Sequence, residues 1–148
     1  VSQRLGPEEI PCSLCSRLRR GILHRYCIEH GFDKLALGHH LDDAVETFFL
    51  NLFFGGRLEA LKPATPTQDG RLTTIRPLIL VEEAKIRAWV RSAGLSPVAC
   101  PVCDGYPRSR RRELKAIFET LGSQHPGLKD SVRRALYHGD PSEQGALP

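Results

Sequence analysis

The chain of 148 residues contains no methionine and opens on Val1, so a fragment of a longer polypeptide is expected. No apolar run approaches the roughly 18 residues needed to cross a bilayer. The longest, FFLNLFFGG, is broken by Asn51 and stops at Gly55, which argues against a membrane partner. The opening residues VSQRLGPEE lack the apolar core of a secretory signal, so an intracellular, cytoplasmic setting is the default. In that setting the five cysteines read as ligands or reactive thiols before disulfides. There is no internal repeat and no low-complexity tract. The most linker-like stretches are KPATPTQDGR, Lys62 to Arg71, and the tail GDPSEQGALP.

What is present suits one domain or a part of one, with 41% hydrophobic residues available for a core. The net charge of +4 and a pI near 9.0 come from arginines clustered over Arg17 to Arg25 and Arg108 to Arg112. Such clusters suit a polyanionic partner.

Periodicity sets the layout. Leu18, Ile22, Tyr26 and Cys27 recur at helical spacing until Gly31, predicting a helix over about 16–30 with a CxxC pair at its N-terminus. DKLALGHH reads as a short buried strand over 34–38 that delivers His39 and His40 into a loop. A second helix comes next over about 42–54, with Val45, Phe48, Phe49, Leu52 and Phe53 as its apolar face. Asp42 and Asp43 fall in its first turn, where a carboxylate complements the helix dipole and where open α/β sheets bind ligands. LTTIRPLIL is a second strand candidate and VEEAKIRAWVRSAG a third helix ended by Gly94. An arginine-rich helix after a second CxxC and a last helix in GLKDSVRRALYH complete the chain. Alternation of helices and strands means an α/β fold with a parallel sheet followed by a helical, basic segment. Two strands are too few for such a sheet, which is expected to begin before Val1.

The pairs Cys12 with Cys15 and Cys100 with Cys103 could close on one structural zinc ion, work as a redox dithiol, or hold an iron–sulfur cluster. Spacing leaves all three open. Cys27, on the apolar face of its helix, reads as a core thiol. Phe48, Phe49, Phe53 and Phe54 read as core rather than as a base-stacking platform. Arg108, Arg110, Arg111 and Arg112 read as phosphate contacts to RNA.

The stretch LALGHHLDDAVETFFLNLFFGG, with CSLCSRLRRGIL upstream and IRPLIL and CPVC downstream, resembles the PP-loop ATPase superfamily. Within it, the order of these motifs is similar to the tRNA 2-thiocytidine biosynthesis (TtcA) family. The resemblance spans about Pro11 to Arg112. The isoleucine-lysidine synthetases share the HHxDDxxET turn but as a family lack the upstream CxxC. The 2-thiouridine synthetases of the TtuA type share the CxxC but usually add zinc-finger cysteine pairs at both ends.

What the resemblance implies is the C-terminal half of a Rossmann-like, adenine nucleotide alpha hydrolase-like PP-loop domain over 1–95, then a CxxC and basic helical segment over 96–148. The implied activity is tRNA thiolation. ATP, with Mg²⁺, adenylates the C2 oxygen of an anticodon-loop cytidine, and sulfur then replaces it. By resemblance Cys12, Cys15 and Cys100, or alternatively Cys103, hold a [4Fe–4S] cluster with one open iron position, which makes Cys100 catalytic as well as a ligand. Asp43 matches the acidic catalytic residue near ATP, Mg²⁺ or the target base, with Asp42 and His39 in support. Arg19 matches a basic position for ATP phosphate or substrate. The implied partners are tRNA, a sulfur donor such as a cysteine desulfurase, and a second copy in a homodimer. The Ser-Gly-Gly-x-Asp-Ser turn that cradles pyrophosphate is not among these residues and is expected ahead of Val1, so these residues alone are not expected to turn over. After Cys103 the family's Gly-Ser-Gln-Pro run is replaced by DGYPRSRR. A zinc-stapled nucleic-acid-binding module without catalysis is the alternative from another class.

Overall fold

Helix α1 spans Cys12–Glu29, strand β1 Lys34–Ala36 and helix α2 Leu41–Gly55 in the computed structural model, which describes residues 12–98 and 110–137. Strands β2, Ala64–Pro66, and β3, Thr73–Ile75, come next. Helices α3, Glu83–Ser92, α4, Arg110–Gln124, and α5, Leu128–Tyr137, complete the order.

The expected helices are all there, with shifted ends. α1 starts four residues before Ser16, so Cys12 and Cys15 lie within its first turn rather than ahead of it. Gly31 ends α1 as expected. Its φ of 74° lets the Phe32 N–H donate back to the Cys27 carbonyl at 2.8 Å, a closing bond that needs a left-handed residue. α2 closes in the same way on Gly56, at φ 61°.

The sheet departs from the purely parallel expectation. Its order is β1-β3-β2, with β1 parallel to β3 and β2 antiparallel to it. β2 falls inside the stretch read as linker-like, because its prolines mask the strand signal, yet an edge strand tolerates them. The β1 strand is not buried as expected: Lys34 and Ala36 are exposed and only Leu35 is half-buried. Among the described residues β1 is the other edge, so no further strand covers it. The LTTIRPLIL strand shrinks to Thr73–Ile75. Pro77 has no N–H for a ladder, and turns closed by Ile79 N–H to Arg76 O and Val81 N–H to Leu78 O take over.

The core sits between α2 and the C-terminal helices. Leu41, Ala44, Val45, Ile79 and Tyr137 are buried together, with Phe49, Phe118, Val132 and Leu136 packed around them. Cys27 is buried, as its helical position predicts. Two of the phenylalanines read as core are not. Phe53 is 59% and Phe54 50% exposed, because this packing covers only the N-terminal part of the α2 stripe, through Phe49. No helix among the described residues is long and apolar enough to cross a membrane.

Candidate active site

The site is built at the junction of β1 and α2. Leaving the carboxyl end of β1, the chain passes through His39 and turns at His40, which caps α2. The His40 ring nitrogen Nδ1 lies 3.4 Å from the Asp43 N–H, and the His40 N–H donates to Asp43 Oδ2 at 3.1 Å. This reciprocal pair is a capping box with histidine in place of the usual serine or threonine. It turns the Asp43 carboxylate back over the helix N-terminus, where the dipole favours negative charge.

Asp43 and Asp42 then diverge. Asp43 Oδ1 accepts from Arg111 Nη1 of α4 at 3.1 Å. The same guanidinium nitrogen lies 3.5 Å from Glu46 Oε2, and Nη2 reaches Thr47 Oγ1 at 3.3 Å. One arginine thus binds the Asp, Glu and Thr of the HHxDDxxET turn. Asp42 faces the other way. Its Oδ2 accepts the Glu83 N–H at 2.8 Å and its Oδ1 accepts Lys129 Nζ at 2.6 Å. Glu82, the N-cap of α3, makes no side-chain cap bond, so a carboxylate from α2 supplies it. Asp42 therefore ties α2, α3 and α5 together.

Electrostatics sort the acids. Burial pushes the Asp42 carboxyl up, but the Glu83 N–H and the Lys129 ammonium outweigh it and hold it below the usual range. For Glu46 burial wins: its carboxyl is raised despite Arg111, with Asp43 and Asp42 adding like charge. Burial, aided by Arg76, Arg111 and His40, lowers the His39 pKa against the pull of Asp43. His39 Nδ1 is buried with no hydrogen-bond partner among the described residues.

Beside the turn lies a cleft of about 250 Å³ lined by Asp42, Glu46, Glu83, Arg87, Lys115 and Lys129 among others. Within it Lys115 and Arg87 both hold Glu83, at 2.7 Å and 2.6 Å.

The structure thus brings Asp42, Asp43 and His39 together and adds Arg111 to them. Arg19 is exposed on α1, and no bond joins it to this turn. Arg110 stacks on Phe54 at the far end of α2, and Arg112 is exposed on α4. Cys15 is a free, half-buried thiol, and Cys12 opens the same helical turn. Cys100, Cys103 and Arg108 lie outside the described residues. Sequence reasoning missed His40 and Glu46 as members of the site. The spacing His40-x-x-Asp43 is a cap signature that could have shown the first. Nothing local announces Lys129, 87 positions from its partner.

Residues 13–113 match the PP-loop domain family, about two thirds of the chain. The chain belongs to that family. This PP-loop chain is 41% identical over 142 residues to a tRNA-cytidine(32) 2-sulfurtransferase of Marinobacter nauticus, covering 96% of the chain and 47% of the relative. It is 43% identical over 144 residues to the enzyme of the same name from Methylococcus capsulatus, covering 97% of the chain and 50% of the relative. Among solved structures it is similar to the U34-tRNA thiolase NcsA from Methanococcus maripaludis with its [4Fe-4S] cluster. That match has a TM-score of 0.66 at 30% identity and covers 92% of this chain and 48% of the other. The PP-loop chain spans about half the length of the relatives it matches.

Proposed function

We propose that the protein is a tRNA thiolase that uses ATP and Mg²⁺ to replace the C2 oxygen of an anticodon-loop cytidine by sulfur. The observation that carries this reading is identity of 41% and 43%, over nearly the whole chain, with enzymes named for that reaction on a cytidine. The C2 oxygen attacks the α-phosphate of ATP and releases pyrophosphate. A sulfur nucleophile then adds at C2, and AMP departs with the oxygen.

Asp43 is the functional carboxylate, held at the mouth of the β1–α2 turn by the His40 N–H and Arg111. It acts on Mg²⁺, ATP or the target base. The buried, unpaired Nδ1 of His39 is beside it, a hydrogen-bonding group still without a partner among the described residues. Asp42, bonded to the Glu83 N–H and to Lys129, builds the site by tying α2, α3 and α5 together. Arg19 contacts phosphate, and Arg108, Arg110 and Arg112 contact the tRNA backbone, while Arg111 divides its donors between Asp43 and Thr47.

The donor set fits an iron–sulfur cluster. Cys12 and Cys15 both fall in the first turn of α1, three residues apart. With Cys100, or Cys103, they would hold a [4Fe–4S] group by three thiolates. Such a cluster would supply an iron with an open position able to bind sulfur. The sulfur comes from a donor such as a cysteine desulfurase, in the cytoplasm where tRNA is modified. The PP-loop part ends near residue 95 in this reading, and residues 96–148 form the basic CxxC segment. A homodimer is the assembly proposed, read by light scattering.

Anaerobic reconstitution with iron and sulfide tests the cluster. The expected result is about four irons per chain with visible charge-transfer absorption, lost in Cys12→Ala and Cys15→Ala. Separate Cys100→Ala and Cys103→Ala variants identify the third ligand, only one of them losing iron. About one zinc per chain as isolated, with no iron uptake, would instead mean a zinc-stapled binding module.

A further inference from the structure

At the end of α2 away from Asp43, the Arg110 guanidinium carbon lies 4.5 Å from the centroid of the Phe54 ring. Phe54 is half exposed and Arg110 is exposed. Arg57, also exposed, folds back over the same helix end: a Cβ placed on Gly55 would lie 3.5 Å from its Nε and 3.7 Å from its Nη2. One guanidinium therefore lies over an exposed ring at the tip of a helix, with the Arg57 guanidinium near the same helix end, 3.9 Å from Glu59, in a protein of net charge +4.

Flat aromatic and guanidinium surfaces beside positive charge are what unpaired bases stack on, with the arginines near the phosphates. We infer that Phe54 and Arg110, with Arg57 beside them, form a stacking platform for an unpaired base of single-stranded RNA. The inference rests on the thiolase reading for the identity of that RNA, the anticodon loop. Eleven residues at ~1.5 Å rise put Phe54 about 16 Å along α2 from Asp43, so the platform holds a neighbouring base rather than the reacting one. Arg110 and Arg111 are consecutive and reach opposite ends of α2, one to the platform and one to Asp43. The platform and the reacting site are therefore set at a fixed spacing by one helix and one pair of arginines.

The test is equilibrium binding of the whole protein to an anticodon-arm hairpin RNA and to a fully paired duplex with the same stem. Phe54→Leu keeps apolar bulk and loses the ring, and Arg110→Lys keeps charge and loses the plane. Each is expected to weaken hairpin binding on the order of 5- to 100-fold and to leave duplex binding within about twofold, with circular dichroism unchanged. Unchanged hairpin affinity in Phe54→Leu, an equal loss on the duplex, or no preference of the wild type for the hairpin would each overturn the platform. If binding behaves as expected while no thiolated nucleoside forms, the platform stands and the thiolase reading fails.

Discussion

Two adjacent carboxylates at the start of α2 carry different duties, and the difference lies in what each faces. Asp42 looks inward to Glu83 N–H and Lys129, whereas Asp43 looks to the turn, His40 and Arg111. Asp42→Ala removes a helix cap and half of a partly buried ion pair, so chemical denaturation should show a loss of about 2 kcal/mol. Asp42→Asn keeps an acceptor for the Glu83 N–H and should lose about half of that. Because the Asp42 carboxyl is held below its ordinary range, its contribution is complete above that range and disappears as pH falls through the folded value. The denaturation profile of Asp42→Asn should therefore be flatter in acid than that of the wild type. Glu46 has the opposite sign. Its raised carboxyl makes ionisation costly once pH exceeds the ordinary carboxylate range. Glu46→Gln should raise the melting temperature at neutral pH, with the gain shrinking as pH falls and Glu46 becomes protonated in both states. A lower melting temperature at neutral pH would show that its Arg111 contact outweighs burial. The pairing of Asp42 with Lys129 was not legible in the sequence, since neither residue has a local signal pointing to the other.

Helices were legible and strands only in part: β1 and β3 lie, shortened, within stretches read as strands, while β2 was missed. α1 and α2 announce themselves through apolar periodicity, and α1 also through its closing Gly31, because helical bonds are local. The three-residue strands depend on partners far along the chain, so β2, with Pro66 inside it, reads as linker until β3 lies beside it. Phe53 and Phe54 fit a helical apolar stripe, but periodicity cannot say how far along the stripe the covering helices reach. The same packing fixes α5. The Tyr137 hydroxyl donates to the Leu61 carbonyl at 2.7 Å, and burial, partly offset by Arg76, pushes its pKa up to about 12. Tyr137→Phe should cost about 1 kcal/mol at neutral pH. A hydroxyl whose folded pKa lies above its ordinary value of 10.0 gives stability that is complete below that value and lost as pH rises toward 12. Alkaline unfolding of Tyr137→Phe should therefore be less steep over that window. Arg111 ties α4 to the start of α2 while about half exposed. Arg111→Ala should cost about 1 kcal/mol, and an undiminished midpoint would show the bridge to be ornamental to the fold.

As a molecule, the chain places a carboxylate turn at the end of a parallel strand, a two-cysteine helix N-terminus, and a basic helix packed against the turn. The HHxDDxxET turn was legible because it is written in residue type and short spacing. The link between Arg111 and that turn was not, because it joins residues 68 positions apart. The chemistry assigned to this arrangement makes Asp43 indispensable while leaving the fold intact in Asp43→Asn, which keeps an acceptor for the His40 N–H. The measurement that tests this most directly is nucleoside mass spectrometry of tRNA incubated anaerobically with the reconstituted whole protein, ATP, Mg²⁺ and a sulfur donor. The account predicts 2-thiocytidine formed only when ATP is present, with a loss of about a hundredfold or more in Asp43→Asn. Unmodified cytidine after incubation with cluster-loaded wild type, or equal 2-thiocytidine from Asp43→Asn, would contradict it.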